Sequence, residues 1–103
     1  MTRLRLEKLR LDEMKADYIE VLSAPAGRRV FGGIFYRLGL RAPLFDANPH
    51  NMAYKAGIHD ALLRIHEAVC DAGLEFPGMC EAEWKKFEER HKLADEKEDD
   101  EDD

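Results

Sequence analysis

The placement of proline constrains this chain more than any other feature. Three of its four prolines, Pro25, Pro49 and Pro77, stand immediately before segments of helical periodicity, and Pro43 sits in an expected loop from Leu40 to Ala47. Proline lacks an amide hydrogen and has its φ preset near the helical value, so it fits the first turn of a helix, where that donor would have no partner. Gly39 and Gly73 stand where the second and third segments run out, and glycine is the usual residue just past a helix C-terminus. This punctuation predicts four helical segments. No stretch combines strict alternation with the β-branched enrichment of a strand. The expected fold is all-α, a small bundle of three to four helices.

The first segment runs from near Leu4 to Leu22. Leu4, Leu11, Met14, Tyr18, Val21 and Leu22 recur at helical spacing and define an expected buried face, with Arg5, Lys8, Glu13, Lys15 and Glu20 on the wet side. Asp12 is a second candidate cap, for a shorter helix that would leave residues 1–11 as a basic arm, and both readings stand. The second helix is expected from Pro25 to Leu38, capped by Ser23 or its neighbour, with Val30, Phe31, Ile34, Phe35 and Leu38 buried. Gly32 and Gly33 inside it are costly, roughly 1 kcal/mol each relative to alanine, which predicts either a kink or the close approach of another backbone. The third helix, Pro49 to about Ala72, carries the longest stripe: Tyr54, Ile58, Ala61, Leu62, Ile65, Ala68 and Val69. In the fourth, opened by Pro77, Met79, Cys80, Trp84, Phe87 and His91 are expected to face inward.

Charge divides the chain into an expected helical domain, 1–94, and an acidic tail, 95–103. The domain holds 15 basic and 14 acidic side chains, and the tail one lysine and eight acids. The net charge of −6 thus describes the tail more than the body. Like charges with nothing to bury predict a disordered tail that solubilises the chain, folds back on its basic half or docks on a basic partner. With 45 % hydrophobic residues the composition is that of a globular protein, not of a collagen-like or wholly disordered one. Apolar runs fall far short of the roughly 20 residues needed to span a bilayer. The opening residues lack the apolar core of a secretory signal, and two cysteines do not make a disulfide framework, so a reduced, cytosolic setting is expected.

Candidate chemistry is sparse. His66, Cys70, Cys80 and His91 could supply four zinc ligands, but there is no C-x-x-C or H-x-x-x-H spacing, and Cys70 borders the Ile65–Val69 stripe as a small apolar group would. No metal and no cofactor are expected. Ser23 has no spaced histidine or carboxylate to serve as its base, and the glycines near residue 30 do not form a phosphate loop, so the chain reads as a non-enzyme. The basic residues say more. Residues 1–41 carry nine basic and five acidic side chains, and Arg28 and Arg29 occupy the first turn of the second helix, at the positive end of its dipole. Arginines accept that position when they reach an acid or a phosphate. One reading is an internal salt bridge to Asp17 or Glu20; the other is contact with another protein or with nucleic acid. Helix-turn-helix reading of DNA is disfavoured, because the second helix is very apolar and lacks Asn, Gln and Ser on its outer face.

The segment Asp17-Tyr18-Ile19-Glu20-Val21-Leu22-Ser23-Ala24-Pro25-Ala26-Gly27-Arg28-Arg29-Val30 resembles the start of a family of small tailed-bacteriophage proteins, first noticed in a podophage of Bordetella and encoded among virion and assembly genes. The shared features are Ser-x-Pro-x-Gly-Arg-Arg, a helix ending near a glycine (Leu38-Gly39), a loop matched through Pro43-Leu44-Phe45-Asp46-Ala47-Asn48, and the helix segment Tyr54-Lys55-Ala56-Gly57 followed by an apolar run. Ile58 and His59 stand where the family has basic residues. The likeness covers a little under half of the chain. It implies a phage structural, assembly or genome-delivery protein with no established enzymatic activity, present in the host cytoplasm during assembly or in the virion. Its expected partners are other phage structural proteins, with homo-oligomerisation open. On this reading Arg28 and Arg29 are partner-facing or fold-fixing, and Gly27 and Gly57 allow close helix contact within the fold or with a partner. The competing expectation is a small nucleic-acid-associated regulator, its basic N-terminal half on phosphates and its acidic tail autoinhibitory.

Overall fold

A computed structural model of the chain describes the backbone of residues 2–101 and the side chains of residues 2–92. It contains four helices: α1 (Arg3–Leu22), α2 (Pro25–Arg37), α3 (Pro49–Ala72) and α4 (Phe76–Glu101), and no strand among the described residues. The all-α expectation holds. α4 carries the backbone of residues 95–101 of the tail expected to be disordered, whose side chains, like residues 102–103, lie outside the described residues.

Each boundary has a local cause. Thr2, in extended backbone, caps α1 by accepting from the Arg5 amide, so the helix starts there and Asp12 is simply an interior residue. Ser23 ends α1 and does not cap α2: its hydroxyl donates back to the Ile19 carbonyl at 2.6 Å, and Ala24 precedes Pro25 with no side-chain cap. Asn48 caps α3 by accepting from the His50 amide at 2.9 Å, and is itself held by Asp46, which accepts from the Asn48 amide at 2.8 Å. Gly39 has φ of +87°, the left-handed conformation that closes α2 without a Cβ penalty. Gly73 ends α3 in extended backbone, with φ of 172°.

The side chains buried among the described residues are Leu22, Phe35, Leu62, Val69, Phe76 and Cys80, one or two from each helix. Around them Tyr18 of α1, Phe31 and Phe35 of α2 and His66 of α3 form a chain of ring contacts at centroid distances of 5.7, 6.3 and 5.3 Å. α2 packs most extensively on α4, and α1 lies against α3. The two glycines of α2 explain the closeness of the α2–α4 crossing. A Cβ at Gly32 would collide with the Cys80 carbonyl oxygen and come within 2.8 Å of the Trp84 Cβ, and one at Gly33 would lie 2.9 Å from the Trp84 ring. The Gly32-Gly33 pair is therefore a backbone-approach site rather than a kink.

Several expected core positions are outside. Leu4, Leu11 and Met14 are 79, 71 and 56 % exposed, because only the C-terminal end of α1, at Tyr18 and Leu22, meets the body. Val30 and Leu38 are exposed because α2 is apolar around more of its circumference than α4 and α1 cover. Tyr54 lies exposed on the first turns of α3, Ala61 faces solvent, and Met79 and His91 are on the outer side of α4.

Candidate docking groove and the α1–α2 elbow

The Ser-x-Pro-x-Gly-Arg-Arg segment folds into the elbow between α1 and α2. Gly27 lies directly against the Val21 carbonyl, where any Cβ would overlap it, so this glycine serves the fold. Arg28 crosses the elbow. Its guanidinium donates to the free Leu22 carbonyl at 2.9 Å, closing the C-terminus of α1, and approaches Glu83 of α4 at 3.8 Å. With both side chains about 15 % exposed (14 and 16 %), this contact ties three helices together. The internal partner of Arg28 is therefore on α4; Asp17 and Glu20 do not take that part. Arg28 is a fold-fixing residue.

Arg29 turns the other way. Its guanidinium carbon lies 6.0 Å from the Phe87 ring centroid, and Phe87 in turn stacks on Trp84 at 5.2 Å and meets His91 at 4.3 Å. Arg29 has no ion pair among the described residues, and its Nε–H is enclosed without a hydrogen-bond partner. It stands at one end of a groove between α2 and α4. Val30, Ile34, Trp84 and Phe87 make the apolar walls and Arg37 the second basic rim. At Arg37 and Leu38 the groove continues onto the loop, where Leu44 and the 80 %-exposed Phe45 extend the apolar strip. Among the described residues no acidic side chain lines either part. Arg29 and Arg37, paired with no acid among the described residues, thus face an open apolar channel.

The loop end of the channel is braced by ion pairs. Lys55 reaches Asp46 at 3.2 Å, and the Asn48 amide and Lys55 together hold the Asp46 carboxyl below its usual range. Arg41 grips Glu81 with two bonds of 3.4 Å and covers the Tyr36 ring at 5.5 Å. Lys85, then Tyr36 and Arg41, hold the Glu81 carboxyl low, while burial and Glu81 push the Tyr36 hydroxyl up.

The four candidate zinc ligands are placed apart in role. Cys70 Sγ lies 3.6 Å from His66 Nδ1, His66 packs on Phe35, Cys80 is wholly buried under Gly32, and His91 sits exposed against Phe87. No three His, Cys, Asp or Glu side chains among the described residues come together as a metal site. Burial pushes the Cys80 thiol up to about 11, so it fills space as a small apolar group. Gly57 has nothing within 4 Å of where its Cβ would be: it makes no close contact in the fold and lies on open surface.

Sequence reasoning placed Arg29 at the site but missed Arg37, Trp84 and the Leu44-Phe45 strip as its neighbours. The signal was present in α2, whose Val30-Ile34-Leu38 line is a second apolar row beside Phe31-Phe35, more than one packed face can use. No family model, no curated protein and no solved structure matches the chain. No helix among the described residues is long and apolar enough to cross a membrane.

Proposed function

We propose that this chain is a non-enzymatic bacteriophage structural, assembly or genome-delivery protein that works by docking a helix of another phage protein in the α2–α4 groove. The observation that carries the docking is the combination of an open apolar channel with two arginines, Arg29 and Arg37, that pair with no acid among the described residues, and no acid among those residues in its lining. Apolar walls with basic rims suit an amphipathic helix that presents leucine-like anchors and acidic flanks. The phage context comes from the resemblance over residues 17–63, and with it the expectation of the host cytoplasm during assembly, or the particle, as its place of action. The non-enzymatic reading is supported by two occupied nucleophiles: the Ser23 hydroxyl is committed to the Ile19 carbonyl, and the Cys80 thiol is buried and protonated.

Gly27 and Arg28 are assigned to the elbow, and Arg29 and Arg37 to the partner. The test has two parts. Quantitative mass spectrometry of purified particles and of assembly intermediates from the encoding phage should find the chain at a fixed copy number in one of them. Replacing it there by the Arg29→Glu/Arg37→Glu form should remove it from the assembly with unchanged helicity. Absence from particles and intermediates alike refutes the phage role; full retention of the doubly reversed chain refutes the groove.

A further inference from the structure

We propose that α1 pairs antiparallel with the α1 of a second copy of this chain. Three features of the helix point to the same occupant. The first is an apolar row without cover. Leu4, Leu11 and Met14 share one face with Tyr18 and Leu22; the last two are packed on the body, whereas the first three are 79, 71 and 56 % exposed. Extending about 30 Å at 1.5 Å per residue, α1 reaches well beyond the helices that cover its C-terminal end.

Charge is the second. Residues 3–10 carry Arg3, Arg5, Lys8 and Arg10 against Glu7, a net of +3, and residues 12–20 carry Asp12, Glu13, Asp17 and Glu20 against Lys15, a net of −3. A helix dipole favours the opposite order, acids at the N-terminus and bases at the C-terminus. α1 has no acid in its first turn and no base in its last. Nor is the conflict relieved internally: the one ion pair of α1 among the described residues is Arg3–Glu7 at 3.6 Å, on the surface. An antiparallel copy that crosses α1 at an angle near Leu11 to Met14, clear of the covered Tyr18–Leu22 end, relieves it there, since the basic side of each crossing point then meets the acidic side of the other helix and the two dipoles oppose. A parallel copy would place like on like.

The third is register. Arg10 and Asp17 are seven residues apart, two turns along the same flank of the apolar row. In an antiparallel pair crossing near Leu11 to Met14, Arg10 of each helix meets Asp17 of the other, and the two-fold axis makes that contact twice. Lys8 and Lys15 lie on the other flank and can extend their heads to solvent. Nucleic acid or the acidic residues 95–103 would answer only the basic half of α1, leaving both the acidic half and the leucines unexplained.

Sedimentation velocity of the full chain over a concentration series, at low and high salt, tests this. The expected result is a monomer–dimer equilibrium that tightens at low salt and weakens about tenfold or more in Leu11→Lys and in Asp17→Arg. The exchange variant Arg10→Asp/Asp17→Arg should recover most of the loss, which a merely unfolded α1 would not; circular dichroism checks helicity throughout. A chain that stays monomeric at millimolar concentration overturns the proposal. So does a dimer indifferent to Leu11→Lys; if that dimer is instead lost on Arg29→Glu, the interface is the α2–α4 groove. Binding of a short DNA duplex that is lost on Arg5→Glu, with no dimer at any salt, would assign the basic half to nucleic acid instead.

Discussion

α2 and the N-terminal half of α1 begin from the same kind of sequence, an apolar row at helical spacing flanked by arginines, and meet opposite fates. In α2 the row is doubled and interrupted by Gly32-Gly33. The missing side chains let the Cys80 backbone and the Trp84 ring of α4 come into contact, which buries Phe35 completely. In α1 the row of Leu4, Leu11 and Met14 holds no small residue, Leu6 and Leu9 lie off it on the other side of the helix, and among the described residues nothing covers it. The difference teaches that periodicity reports an amphipathic helix but not which surface covers it. What distinguishes the two is the presence of a paired recess: two glycines facing a tryptophan mark an internal crossing, and a row with segregated charge marks an external one.

The sharpest way to break this contrast is to truncate the ring that fills the α2 side. Phe35→Ala should cost about 4 kcal/mol in urea unfolding, the range for a fully buried phenylalanine, whereas Leu11→Ala should change the unfolding of the dilute monomer by less than about 0.5 kcal/mol. Next comes Gly32→Ala, expected to destabilise by about 3 kcal/mol because its Cβ meets a backbone carbonyl that cannot step aside. The same substitution at Gly57, where the space is open, should raise stability by about 0.7 kcal/mol through helix propensity alone. Arg28→Met, which removes the bond to the Leu22 carbonyl and the contact to Glu83, should cost about 2 kcal/mol, while Arg29→Met should cost markedly less.

The smallest effect is that of pH. Asp46 and Glu81 have carboxyls held below their usual values, so their contribution to stability is complete above pH 5 and is lost as the pH falls through the lowered values. Thermal melts between pH 6 and 3 should therefore show a modest drop near the acid end. That drop should shrink in Lys55→Met and Lys85→Met, which remove the principal cation from each of the two carboxylates.

Helix number and the bounds of α2 and α3 were legible in the sequence, because Pro25, Pro49, Gly39 and Gly73 act through backbone chemistry that needs no tertiary partner, whereas the start of α1 stayed open between Leu4 and Asp12 and α4 runs past residue 94. The close crossing at Gly32-Gly33 was legible as one of two outcomes. Facing was not. Val30, Leu38, Leu4 and Leu11 fit a buried stripe as well as Phe35 and Leu22 do, and only the short reach of α2 and the position of α4 decide among them. Arg28 and Arg29 looked equivalent as neighbours at a dipole end. The rotation of about 100° between consecutive helical residues aims the first at the Leu22 carbonyl and Glu83 and the second at the Phe87 ring, a divergence that a linear pattern does not carry.

Hydrogen exchange measured at two protein concentrations tests the central contrast most directly. In dilute solution the amides of α2 from Arg28 to Arg37 should be protected to the level of global unfolding, and those of α1 from residue 5 to residue 14 should exchange by local fraying. Raising the concentration into the range of association should slow exchange in residues 5–14 and leave residues 28–37 unchanged. Equal protection of both segments at high dilution would contradict the account, since it would mean that α1 is already covered within a single chain.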